Sequence, residues 1–149
     1  MQRSIGKSLE DAVLETVKSV SSFFGIPPPV VEFADIDQPG LYVDGRIIIS
    51  RRLTPEQAVA VAAHECAHYS HDFYGIPCRT DECEAYASMF ERIWLRMGSR
   101  STRFYSPCVR CGYPVLAYRS RCLRCDSVYD PPQVWLIATL SSAALLLLS

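Results

Sequence analysis

The first apolar pattern along the chain is helical. Leu9, Val13, Val17, Val20 and Phe24 recur at spacings of three and four, which places them on one stripe. The spacing predicts an amphipathic helix over 8–24, started by Ser8 and Asp11 and stopped by Gly25 and the run Pro27-Pro28-Pro29. Residues 30–34 and 41–49 read as strands. Asp44-Gly45 separates Leu41-Tyr42-Val43 from Arg46-Ile47-Ile48-Ile49, and Asp-Gly readily takes the positive φ angles of a type I′ turn, so a hairpin is expected there. A second helix should begin at Thr54 as cap, with Pro55 in the first helical position and Gln57 completing a capping box, and run to about Asp72. A third should run from about Asp81 to Met97, with Thr80 as cap, Gly98 as stop, and an apolar stripe of Tyr86, Met89, Phe90, Ile93 and Met97. The expected fold class is α+β, a small antiparallel sheet packed on helices.

The second helix carries His64-Glu65-Cys66-Ala67-His68. Residues i and i+4 share a helix face, with Cβ atoms ~5–6 Å apart, so two imidazoles at this spacing can bind one zinc ion. Glu65 follows the first histidine by one residue and points near the metal without ligating it. There it can take a proton from metal-bound water and pass it on to a leaving amine. A catalytic zinc takes a third protein ligand and keeps one position for water. His71, Glu82 and Glu84 are the candidates. His71 would need a sharp turn after His68, where no glycine permits one. Glu82 and Glu84 open the next helix, which the small residues of both helices allow to approach closely. Periodicity does not choose between them.

A hairpin strand, a capped helix with His-Glu-x-x-His and a following helix bearing Glu84-Ala85 resemble the minimal gluzincin core. The closest likeness is to ImmA/IrrE-type metallopeptidases, over roughly residues 25–97. The resemblance implies a zincin fold at 1–98, a zinc metallopeptidase activity, and Glu84 as third ligand beside His64 and His68. Ser88 stands where some gluzincins place an acid that partners the first histidine.

Cys108-x-x-Cys111 and Cys122-x-x-Cys125 are separated by ten residues. Two such pairs present four thiolates tetrahedrally to one zinc, as in a zinc ribbon, here at 104–130. A module of this size buries too little to fold alone, so the metal would stabilise it, and a closed four-thiolate site leaves no position for chemistry. Cys66, Cys78 and Cys83 are expected to be buried or free thiols. The paired spacing and the odd total of seven cysteines argue for a reducing, cytoplasmic setting over a disulfide framework. A His-Glu-x-x-His helix followed by an arginine-rich ribbon also resembles SprT-type proteases. Their third ligand is a histidine well beyond the helix, and this chain has none after His71.

Charge changes the picture in one segment. From Arg92 to Arg124 there are eight arginines and no acid, which leaves 7 basic against 16 acidic residues elsewhere. Such a stretch can meet nucleic acid or an anionic membrane surface, or be a solvated face. After Pro131-Pro132, residues 134–149 carry no charge. As a helix they would fall short of the ~20 residues that span a bilayer, so 133–149 reads as an interfacial anchor, or as an apolar helix packed on the domain. The function expected is hydrolysis of a protein or peptide substrate, using one catalytic and one structural zinc. The alternative is a zinc-ribbon module, binding nucleic acid or protein, with an inactive peptidase-like core.

Overall fold

Caps set where the helices begin. In the computed structural model, which describes residues 6–77, 80–116 and 121–126, helix α1 spans Leu9–Phe24. The Ser8 hydroxyl accepts from the Asp11 amide at 3.1 Å, and Gly25 closes the helix at φ 68°, a left-handed position that costs glycine little. Helix α2 spans Pro55–Phe73 and starts with the full reciprocal box: Gln57 N–H donates to Thr54 Oγ1 at 3.2 Å, and Thr54 N–H donates to Gln57 Oε1 at 3.0 Å. Helix α3 spans Thr80–Met97 and runs into a 3-10 segment, Gly98–Arg103.

Strands β1 (Val30–Ala34), β2 (Gly40–Val43) and β3 (Arg46–Ser50) form one sheet in the order β1-β3-β2. The hairpin β2–β3 is as expected, with Val43 opposite Arg46 and positive φ at both Asp44 (50°) and Gly45 (75°). The sheet is not antiparallel throughout, however. β1 runs parallel to β3, with Val31 opposite Ile47 and Phe33 opposite Ile49. The chain reverses at 35–39 and again at 44–45, so the third strand points the same way as the first. The middle place goes to the most deeply buried strand, with Ile47 and Ile49 fully buried there. β2 is left as an edge strand beside α2.

α2 packs between α1 and α3. Ala58, Ala62, Ala63, Cys66 and Ala67 of α2 are buried, and their small side chains let both neighbours come close. The expected stripe of α1 is buried from Val13 to Phe24, with Leu9 packed at its margin. Tyr86, Phe90, Ile93 and Met97 of α3 face the same core, with Met89 partly buried. The cysteine segment adds a two-stranded antiparallel ribbon, β4 (Tyr105–Pro107) and β5 (Pro114–Leu116). Its Cys108, Tyr113, Val115, Leu116 and Cys122 belong to the same buried cluster as the three helices. No helix among the described residues is long and apolar enough to cross a membrane. The apolar segment 133–149 lies outside the described residues.

Candidate metal centres

The capping box fixes the register of α2, and that register turns His64 and His68 to one face. Their Nε2 atoms are 3.2 Å apart. α3 brings the third donor: Glu84 Oε2 is 3.2 Å from His64 Nε2, and Glu84 Oε1 is 2.9 Å from His68 Nε2. A tetrahedral zinc with bonds of about 2.0–2.1 Å holds its donors about 3.3 Å apart. The triangle is close to that spacing, so this group can hold a metal ion with one corner open. Of the two glutamates the sequence left open, Glu84 joins the histidines and Glu82 pairs with Arg121 at 3.5 Å. The two residues sit ~200° apart around the helix, so one rotation of α3 cannot bring both inward.

His71 does not join the group. It is buried against the rings of Tyr86, at 4.9 Å, and Tyr113, at 6.2 Å. Burial, and then His68 nearby, push its imidazole down to about 4. Burial also lowers the pKa of His68, which favours the neutral ring that binds metals.

Glu65 lies beside the group and is not one of its donors. Burial raises its carboxyl above the usual carboxylate range; His64 pulls it down and Glu84 pushes it up. The Tyr42 backbone N–H donates to this carboxylate from the open edge of β2. Gly40 makes that approach possible: a Cβ there would collide with Val61 and sit 3.5 Å from Glu65 Cγ. Two cavities meet at Glu65 and Gly40. The larger, about 700 Å³, is also lined by Tyr42, His68, His71, Asp72 and Glu84. The smaller, about 220 Å³, reaches His64 and Glu91. Tyr42 donates its hydroxyl to Asp72, and burial, followed by that carboxylate, raises its pKa.

Glu91 is the site residue that the sequence reading missed. Its Oε2 is 3.7 Å from His64 Nδ1, on the side of the ring away from Glu84. Ser88 leaves the partner position open, and a carboxylate one turn further along α3 fills it. The available signal was the seven-residue interval from Glu84 to Glu91, two helical turns on one face. A carboxylate on the far nitrogen orients a ligating imidazole and strengthens it as a donor. Glu91→Gln is therefore expected to weaken metal binding at this site by roughly 10–100-fold, read by competition with a chromophoric chelator.

The four paired cysteines converge as expected. Cys108 and Cys125 sulfurs are 3.6 Å apart, as are those of Cys111 and Cys122. A disulfide needs ~2.05 Å, whereas four thiolates around zinc at ~2.3 Å stand about 3.8 Å apart. The cluster can therefore hold a metal ion. Each pair forms the same knuckle. Gly112 N–H closes onto Cys108 O at 2.8 Å, and Asp126 N–H onto Cys122 O at 3.0 Å. Both closing residues have positive φ, 77° and 60°. Burial pushes the Cys122 thiol up to about 12 and raises that of Cys111.

Cys66 is buried and free, as expected. Cys83 is buried, as expected, but is disulfide-bonded where a thiol was expected. Sequence spacing gave no sign of this, because the expectation weighed metal knuckles against a disulfide framework for the whole chain. Cys78 lies outside the described residues.

The cysteine segment is fastened to the helices by several polar contacts. The Tyr113 and Ser70 hydroxyls are 3.2 Å apart, Tyr86 donates to Pro114 O at 2.9 Å, and the Arg124 guanidinium lies 4.7 Å over the Tyr74 ring. Arg121 bridges Glu82 and Asp126. No protein-family model, curated protein or solved structure matches the chain.

Proposed function

We propose that the chain is a zinc-dependent metallopeptidase. The observation that carries this reading is the combination at one point of a His64–His68–Glu84 donor triangle and a buried carboxylate, Glu65, that is not part of it. Nitrogen and oxygen donors at tetrahedral spacing with an open corner suit a catalytic zinc, and four sulfurs suit a structural one. A zinc ion in the open site would polarise a scissile carbonyl and acidify a bound water. Glu65 would accept a proton from that water as its oxygen adds to the carbonyl carbon. It would return the proton to the amide nitrogen as the C–N bond breaks, leaving a carboxylic acid and an amine. The Tyr42 amide and the glycine at 40 hold Glu65 where it can do this. The cavities on both sides of Glu65 give an extended chain room to lie across the site. The gluzincin resemblance of residues 25–97 supports the same reading.

The test is the zinc content of the purified full chain and of Glu84→Ala, together with cleavage of a mixed peptide library. About two ions per chain, falling to about one in the variant along with loss of cleavage, is the expected result. One ion in both forms, released only by thiol-directed reagents, would leave the histidine site without metal. A binding role with an inactive core would then take its place.

A further inference from the structure

The side chains of five arginines in the basic stretch are used by neither candidate centre. Arg92 and Arg96 on α3, Arg100 and Arg103 on the 3-10 segment, and Arg110 on the first knuckle are all exposed. None of them forms an ion pair among the described residues, whereas Arg121 is held by Glu82 and Asp126. Arg100 and Arg103 follow on the 3-10 segment beyond Gly98, whose φ of 53° turns the chain, and Arg92 and Arg96, one turn apart, form an exposed face of α3 opposite the buried Phe90, Trp94 and Met97. Beside it stands Leu95, 52% exposed, and next to Arg110 stands Val109, 75% exposed.

We infer that these exposed, unpaired arginines dock on an anionic lipid surface. Unpaired arginines beside outward-turned aliphatic side chains suit a headgroup layer, which offers phosphates at its surface and hydrocarbon just beneath. A single-stranded nucleic acid would call for exposed aromatic platforms. Among the described residues, the aromatics of this segment, Trp94, Phe104, Tyr105 and Tyr113, are buried. The sequence supplies a second membrane signal further on, in the uncharged residues 134–149. A basic patch and an apolar segment are individually weak and jointly sufficient for stable peripheral attachment. This inference does not depend on the peptidase reading.

The experiment uses the full chain and sedimented vesicles, either of phosphatidylcholine alone or of phosphatidylcholine mixed with phosphatidylserine. Its readout is the ratio of anionic to neutral partitioning, because the apolar tail contributes to both. The wild type is expected to prefer the anionic vesicles and to lose that preference as salt is raised. Each arginine near an anionic surface is worth about fivefold. The combined variant Arg92→Gln, Arg96→Gln, Arg100→Gln, Arg103→Gln should therefore lose a preference on the order of several hundredfold, with neutral binding unchanged. Zinc content and far-ultraviolet dichroism check that it is folded. The pair Arg92→Gln, Arg96→Gln alone should lose about 25-fold by the same reckoning. An anionic preference that survives these substitutions, or is absent from the wild type, overturns the inference. So does arginine-dependent binding to DNA oligonucleotides that exceeds binding to the vesicles, which would make the patch a nucleic-acid surface.

Discussion

Glu65→Gln is expected to slow peptide hydrolysis by roughly 10²–10⁴ while leaving both metal ions in place. The substitution is nearly isosteric and removes the carboxylate proposed to shuttle the proton without binding the metal. The donor triangle of His64, His68 and Glu84 remains intact. The Tyr42 N–H keeps an oxygen to donate to, because a glutamine carbonyl accepts as the carboxylate did. Folding should not suffer. In the metal-free chain burial raises the Glu65 pKa, so its charged form is disfavoured in the folded state. The sign follows from linkage: a carboxyl with a raised folded pKa is stability-neutral at low pH and destabilising once the pH exceeds its unfolded value. A neutral side chain at 65 removes that penalty, and the melting temperature of the metal-free chain at pH 7 should hold or rise. Unimpaired cleavage by Glu65→Gln would mean that Glu65 is not the base and would remove the mechanism proposed. Loss of metal with loss of activity would instead mean that Glu65 holds the site together.

What the sequence disclosed and what it hid differ in the range of the forces involved. The Thr54-Pro55-Gln57 box, the Asp44-Gly45 turn, the His64–His68 interval and the two cysteine knuckles are settled by atoms within five residues of each other. Such features are read directly from spacing. The parallel pairing of β1 with β3 depends on which strand wins the buried middle, and no local period records that contest. Glu84 and Glu82 occupy the same turn, and only the rotation of α3 against α2 separates them. Glu91 reaches His64 for the same tertiary reason. The Tyr42 amide on Glu65 required an edge strand lying close on α2, which Gly40 permits but does not announce. The two centres are also nearer to one another in the fold than their separation in the chain suggests. The Tyr113 ring, between the knuckles, lies tilted against that of His71 of α2, and Pro114 receives the hydroxyl of Tyr86, two residues beyond Glu84.

That adjacency makes the second large effect reach beyond its own site. Cys122→Ser is expected to expel the ion of the four-cysteine centre and to lower the stability of the whole chain by several kcal/mol, a sizeable part of the roughly 5–15 kcal/mol typical of a domain. Structural zinc sites of this kind supply apparent folding energies of about 10–16 kcal/mol to the segments they close. Here the closed segment is not a detachable tip. Cys122 and Tyr113 are each 1% exposed, inside the cluster that also holds Phe24, Phe90 and Ile47. Opening the knuckles withdraws Tyr113 from between α2 and α3 and releases Tyr86 from Pro114. Glu84 should then sit less firmly against His64 and His68, so the variant should bind metal more weakly at the histidine site although none of its donors has changed. Acid should reproduce the effect in the wild type. The buried Cys122 thiol is protonated at neutral pH when no metal is bound. An ion at the four-cysteine centre must therefore displace protons, and its hold weakens as the pH falls. Thermal unfolding followed with metal content, for the wild type across pH and for Cys122→Ser at pH 7, reads both effects. A variant that keeps two ions and the wild-type melting temperature would show that the four sulfurs converge for packing alone. A variant that loses one ion and stability, yet keeps its histidine-site affinity, would show that the two centres share a core without sharing their geometry.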